Sequence, residues 1–123
     1  MDNTEVVNNT SKYIVKTTGI GSETNEILVD AEKLAEGTDG SKVSLIECYY
    51  LIEGTGTLTI NAASETETQA AGKTVAKPLS LTGKGKYGLR PNQLKYGNDK
   101  IIKLTTDSNV KSYLLVTEFR RNN

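Results

Sequence analysis

Apolar residues in this chain form short runs separated by Gly, Asn, Ser and Thr, a pattern typical of β-strands joined by turns. The strongest run, residues 43–53, is apolar on both alternating faces, so we expect a central strand or one covered by a neighbouring subunit. A Gly-Thr-Gly turn and the alternating residues 57–61 then complete a hairpin. Residues 100–106 and 110–120 predict two further strands. In the last strand Tyr113, Leu115, Thr117 and Phe119 share one face, and Leu114, Val116 and Glu118 share the other.

Shorter runs predict strands at residues 13–18, at 25–30 and, weakly, at 74–81. Asp30 can cap a helix of at most two turns, which Gly37 ends. The small polar residues 62–72 predict an exposed loop. Six to eight strands with one short helix indicate an all-β protein, a single antiparallel β-sandwich or jelly roll. We expect this domain to span residues 12–123, preceded by a flexible N-terminal arm at residues 1–11.

Composition removes most enzyme classes. The 123 residues contain no His, no Trp and one Cys, which excludes Ser-His-Asp and Cys-His catalysis, His-ligated zinc and an internal disulfide. We therefore predict no catalytic residue, no metal and no cofactor, and a protein that is not an enzyme. The acidic, polar first residues and the lack of an 18-residue apolar run predict neither a signal peptide nor a membrane partner.

Charge is balanced overall but divided along the chain. Residues 1–72 carry 12 acids and 4 bases, whereas residues 73–123 carry 3 acids and 11 bases. A net charge of zero argues against a nucleic-acid partner. Two interpretations remain open: the halves pair as strands and neutralise each other, or a basic surface of one subunit meets an acidic surface of its neighbour.

Four features of the sequence contain residue types that are found in binding or reactive sites. Gly83-x-Gly85-x-x-Gly88 matches the dinucleotide-binding pattern, but no βαβ unit surrounds it, so a glycine turn is favoured over an anion contact. Cys48 lies in the most apolar run and is expected to be a buried thiol. Glu65 and Glu67 lack the Asp-rich spacing of a calcium loop and predict a solvated loop. The six tyrosines are expected to pack in the core or an interface rather than to bind sugars.

Three segments together carry a resemblance to a known family: LIECYYLIEGTGTLTI (residues 45–60), LTGKGKYGLRPN (81–92) and SYLLVTEFRRNN (112–123). This order resembles the small all-β virion proteins of tailed bacteriophages, marine phages especially, that act as capsid decoration or cement proteins. The resemblance covers residues 43–123. It implies a non-enzymatic structural protein that is made in the host cytoplasm and stabilises the outside of the capsid. The implied partners are the major capsid protein and further copies of the chain, with a trimer favoured and no nucleic acid or membrane.

A second interpretation stays open, in which the chain is a lectin-like or host-adhesion binding module of the virion. For either function we expect an interface rather than a catalytic site. Its candidate residues are apolar positions in the arm and the long strand, and basic positions in the Gly-rich segment: Val6, Val7, Tyr49, Leu51, Lys84, Lys86 and Arg90.

Overall fold

Two antiparallel β-sheets enclose a single hydrophobic core, which confirms the expected all-β sandwich. The structure, a computed structural model, describes residues 1–88 and 95–122. A 3-10 helix (η1, Ala31–Lys33) follows the third strand. In chain order the strands are β1 (Asp2–Asn8), β2 (Lys12–Ile20), β3 (Glu23–Asp30), β4 (Lys42–Gly54), β5 (Leu58–Ala62), β6 (Thr66–Thr68), β7 (Thr74–Ala76), β8 (Leu79–Leu81), β9 (Lys84–Tyr87), β10 (Tyr96–Asp99), β11 (Ile101–Thr106) and β12 (Val110–Asn122).

The larger sheet has the order β1-β2-β12-β4, and both β9 and β10 pair with the far side of β4. β9 lies beside residues 48–51 of β4, and β10 lies beside residues 43–45. The smaller sheet has the order β3-β11-β5-β8, and β6 and β7 form a separate hairpin. The predicted long strand is therefore a central strand, with partners on both sides.

Both sheets contribute to the core between them. Their inward side chains are fully buried, as expected for alternating strands that cover each other on one face. The larger sheet supplies Val15, Leu45, Leu115 and Phe119, and the smaller sheet supplies Leu28, Leu58, Ile60, Ile102 and Leu104. The predicted faces of the last strand are confirmed, because Tyr113, Leu115, Thr117 and Phe119 are buried while Leu114, Val116 and Glu118 are half-buried on the other side.

A β-bulge at Ile46 changes which side of β4 faces the core. Phe119 lies opposite Leu45 and Glu118 lies opposite Glu47, so Ile46 is an extra residue in β4. Leu45 points inward before the bulge, and Cys48 points inward after it. The prediction of strict alternation through residues 43–53 is therefore wrong at this point, because an extra residue shifts the two-residue period by one.

The segment expected to be a flexible arm is an edge strand in the structure. Asp2–Asn8 pairs antiparallel with β2, and the register shifts between Glu5 and Val7, which leaves Val6 as a bulge. Pairing with β2 supplies backbone hydrogen bonds that the polar sequence did not reveal. The N-terminal segment therefore belongs to the larger sheet.

Three further segments differ from expectation. The predicted loop at residues 62–72 contains β6, which pairs with β7, and residues 84–87 of the predicted glycine turn form β9 along the open side of β4. The helix after Asp30 is one 3-10 turn, in which the Glu32 amide donates to the Asp30 carboxylate at 3.2 Å. The turn predicted at Pro91 and Asn92 lies outside the described residues. Within residues 1–88 and 95–122, no helix has the length and apolarity needed to span a membrane.

Candidate functional site: the outer face of the larger sheet

The outer face is the side of the larger sheet that points away from the core. Its central side chains form two rows, which we name after their residues on β12, and each row crosses β1, β2, β12, β4 and β9 in that order. The Leu114 row contains Asp2, Thr18, Leu114, Leu51 and Lys84, and the Val116 row contains Thr4, Lys16, Val116, Tyr49 and Lys86.

The centre of the outer face is apolar and open to solvent. Tyr49 is 50% exposed and Leu51 is 44% exposed, and both lie beside the half-buried Leu114 and Val116. At one end of the face Ile20 is 83% exposed. Contiguous exposed apolar groups of this kind mark contact surfaces more often than isolated surface residues do.

Basic side chains border this apolar centre. Lys86 forms a 2.8 Å ion pair with Glu47, and its ammonium also lies 5.1 Å from the centre of the Tyr49 ring. The hydrogen bond to the Glu47 carboxylate raises the pKa of Lys86. The same ion pair keeps the ammonium group beside the Tyr49 ring. Lys84 lies opposite Leu51 in the neighbouring row, and Lys16 is exposed on the other side of β12.

The structure brings four of the predicted interface residues together, Tyr49, Leu51, Lys84 and Lys86, because β9 runs beside β4. Val7 shares the same face further along, opposite Ile14, and Val6 is 59% exposed at the β1 bulge. Arg90 lies outside the described residues. The interface role of these residues stays a prediction.

Sequence reasoning missed the other half of this surface, Lys16, Leu114 and Val116. Alternation in residues 110–120 places Leu114 and Val116 on one face of the last strand. The sequence does not show the order of the strands. That order puts β12 between β2 and β4 and joins separate residues into one surface.

The thiol of Cys48 and the carboxylate of Glu65 are both engaged by the protein itself rather than open to a ligand. Cys48 is fully buried, and burial raises the pKa of its thiol to about 12, which keeps it protonated and unreactive. The Glu65 carboxylate accepts a hydrogen bond from the Gly97 amide at 3.1 Å. Among the described residues, no group of three or more Cys, Asp or Glu side chains is arranged to hold a metal ion.

Most of the tyrosines pack inside the protein. Tyr13, Tyr96 and Tyr113 are buried, and the Tyr96 hydroxyl lies 2.9 Å from the carbonyl oxygens of both Ile60 and Lys77. Tyr96 also borders an open cleft of about 360 Å³ between the β6–β7 hairpin and the smaller sheet. Because backbone groups already engage its hydroxyl, Tyr96 offers a ligand in this cleft little polar recognition.

Fold and surface together define an all-β sandwich protein with an exposed apolar face on its larger sheet. No family model matches the chain, and no curated protein matches it. Among solved structures, a cupin domain from Bordetella pertussis Tohama I is similar at 11% sequence identity and a TM-score of 0.42, covering 99% of this chain and 93% of that one. A likeness this distant does not extend to function.

Proposed function

We propose that this chain is a non-enzymatic structural protein that binds the outside of a bacteriophage capsid and stabilises it. The observation that carries the proposal is the exposed apolar centre of the outer face, around Tyr49 and Leu51. A protein that works by packing against other protein subunits needs such a surface and needs no catalytic group. The choice of a phage capsid as the partner comes from the resemblance of residues 43–123 to phage decoration proteins.

Two different surfaces can serve the two contacts that a decoration protein makes. The outer face suits contact with a neighbouring subunit on the shell, because it is broad and apolar. β1 is an edge strand of the larger sheet and suits contact with the capsid itself, since an edge strand can pair with an extended segment of a partner. Val6, exposed at the β1 bulge, is the apolar anchor in this arrangement.

Copy number in purified particles tests the capsid role directly. Quantitative mass spectrometry of density-purified particles should find this chain at hundreds of copies, in a simple ratio to the major shell protein. A handful of copies would favour a tail or vertex position and a host-binding module instead. Absence from the particles would contradict the proposal.

A Val6→Asp variant tests the edge contact. We expect its affinity for undecorated capsids to fall at least about tenfold, because the substitution replaces an apolar contact with a charge that must lose its water. Ile27→Asp is the matched control, since Ile27 is an aliphatic residue 44% exposed on a strand of the smaller sheet. Equal binding by the two variants would remove β1 from the capsid contact.

A further inference from the structure

The outer face has an acidic residue, Asp2, at one edge and a lysine, Lys84, at the other, and this arrangement indicates its partner. β12 is the middle of the five strands that each row crosses, and the apolar residues lie on β12 and on its neighbour β4. We propose that the outer face binds the outer face of a second copy of this chain, around a two-fold axis running along β12. The inference rests on the protein-contact surface of the proposed function and assigns its occupant, a two-fold partner in place of the trimer that the resemblance implies.

A two-fold axis along the strands reverses the strand order between the facing copies. Leu114 and Val116 then meet their own counterparts at the centre of the interface. At the rim, Asp2 of one copy faces Lys84 of the other. The Asp2–Lys84 contact occurs twice, once on each side of the axis, and the two edges of the face are thus complementary in charge.

The other two-fold arrangement of facing sheets has its axis across the strands. That axis exchanges the two rows and keeps each strand opposite itself, so Lys84 of one copy would face Lys86 of the other. Like charges facing each other across an interface disfavour association. The axis along β12 alone brings Asp2 opposite Lys84, and charge therefore favours it.

The size of the surface is compatible with a specific dimer. Five strands spaced about 4.8 Å apart and about 27 Å of strand length give roughly 650 Å² per copy. Two copies would bury about 1,300 Å² in total, near the lower end for specific interfaces. Facing sheets cross at about 30°, which displaces the outer strands by about 5 Å, a distance that a lysine side chain spans.

Sedimentation equilibrium of the full chain is the first test, and we expect a dimer in the micromolar range. A chain that is monomeric up to about 100 µM, or one that forms a trimer, would overturn the inference.

A charge exchange then tests the arrangement. Asp2→Lys and Lys84→Asp should each weaken dimerisation about 5- to 30-fold, because two contacts are lost per dimer.

The double variant with both exchanges should recover most of the loss, since it restores both opposite-charge contacts. No recovery would overturn the two-fold arrangement. All of these positions are exposed, so folding is expected to be retained and can be checked by circular dichroism.

Crosslinking gives an independent readout. Asp2→Cys and Lys84→Cys chains should form a covalent dimer with a short bismaleimide when mixed, and much less when each is alone. In a sample of one variant, the two introduced thiols of a dimer lie about 19 Å apart, which is four strand spacings across the face. Cys48 is buried and does not compete. Equal crosslinking of mixed and single samples would contradict the proposed register.

The two proposals fail separately. A dimer that meets these tests but does not bind capsids contradicts the capsid role alone. A monomer that still decorates capsids contradicts the self-contact alone.

Discussion

The burial of the Cys48 thiol follows from the position of this residue in β4. Cys48 lies in the middle of β4, after the bulge that turns it toward the core, and its sulfur contacts the carbonyl oxygen of Tyr49 at 3.8 Å. Its burial was predictable because it lies in the most apolar run of the sequence. Which neighbours bury it depends on the register of β4 with β12 and β9, and no local pattern reports that register.

The buried thiol should make the protein less stable at alkaline pH. The pKa of Cys48 is about 12 in the folded protein and near 9 when the thiol is solvated. Between these values the unfolded chain loses this proton and the folded protein keeps it, so the free energy of unfolding falls as the pH rises. At pH 10 the loss is about 1.4 kcal/mol relative to pH 8.

Urea denaturation of the wild-type chain and of Cys48→Ala, each at pH 8 and pH 10, measures this effect. The comparison of the two pH values within each chain removes the packing cost of the substitution. The comparison between the two chains then removes the tyrosine ionisation that both share. We expect the wild-type chain to lose about 1.4 kcal/mol more than the variant. Equal losses would show that the thiol does not govern alkaline stability.

At the scale of elements, the β6–β7 hairpin and the strands around it have different structural roles. Most of the hairpin is exposed, and it joins the sandwich where the Lys77 amide donates to the Glu65 carbonyl oxygen at 3.0 Å. The base of the hairpin is held by the Tyr96 hydroxyl and by the contact between Glu65 and the Gly97 amide. The hairpin therefore projects from the sandwich without belonging to its core.

Replacing residues 66–76 with Asn-Gly should change the free energy of unfolding by less than about 1 kcal/mol, because a shorter loop costs little and no buried side chain is removed. Tyr96→Phe is the comparison, and it should destabilise by about 1–3 kcal/mol because it leaves buried carbonyl groups without their partner. Urea denaturation compares both variants with the wild-type chain. A larger loss for the hairpin replacement than for Tyr96→Phe would assign the hairpin a structural role.

The long apolar elements could be predicted from sequence, whereas the short polar ones could not. The strand at residues 43–53 and the two faces of β12 follow from runs and alternation that are local. β1 and β9 contain mostly polar or Gly residues and form strands because β2 and β4 offer unpaired edges beside them. The Ile46 bulge likewise depends on pairing with β12. Each of these features is a property of two strands rather than of one segment.

At the scale of the whole molecule, the structure supports the interpretation in which the acidic and basic halves neutralise each other by pairing. β12 from the basic half lies between β2 and β4 of the acidic half, and β11 lies between β3 and β5. The Lys86–Glu47 and Lys100–Glu32 ion pairs also join the two halves. The outer face depends on the same interleaving, and for this reason it could not be assembled from the sequence alone.

Because the strands of the two halves are interleaved, the halves should stay associated after the chain is cleaved between them. A protease site inserted between Gly72 and Lys73, in the exposed turn of the β6–β7 hairpin, divides the chain into residues 1–72 and 73–123. We expect the cleaved halves to elute together and to unfold in one transition, because neither the larger sheet nor the smaller sheet is complete within one half.

After separation in urea, the halves should reassemble faster at low salt than at high salt. The formal charges of −8 and +8 attract the fragments, and about 1 M salt screens that attraction to a few ångströms. Stopped-flow mixing at 20 mM and 1 M sodium chloride would measure the ratio, which we expect to be at least about tenfold. Halves that separate on cleavage without denaturant would contradict the interleaved strand order, and equal rates would show that the opposite charges do not guide assembly.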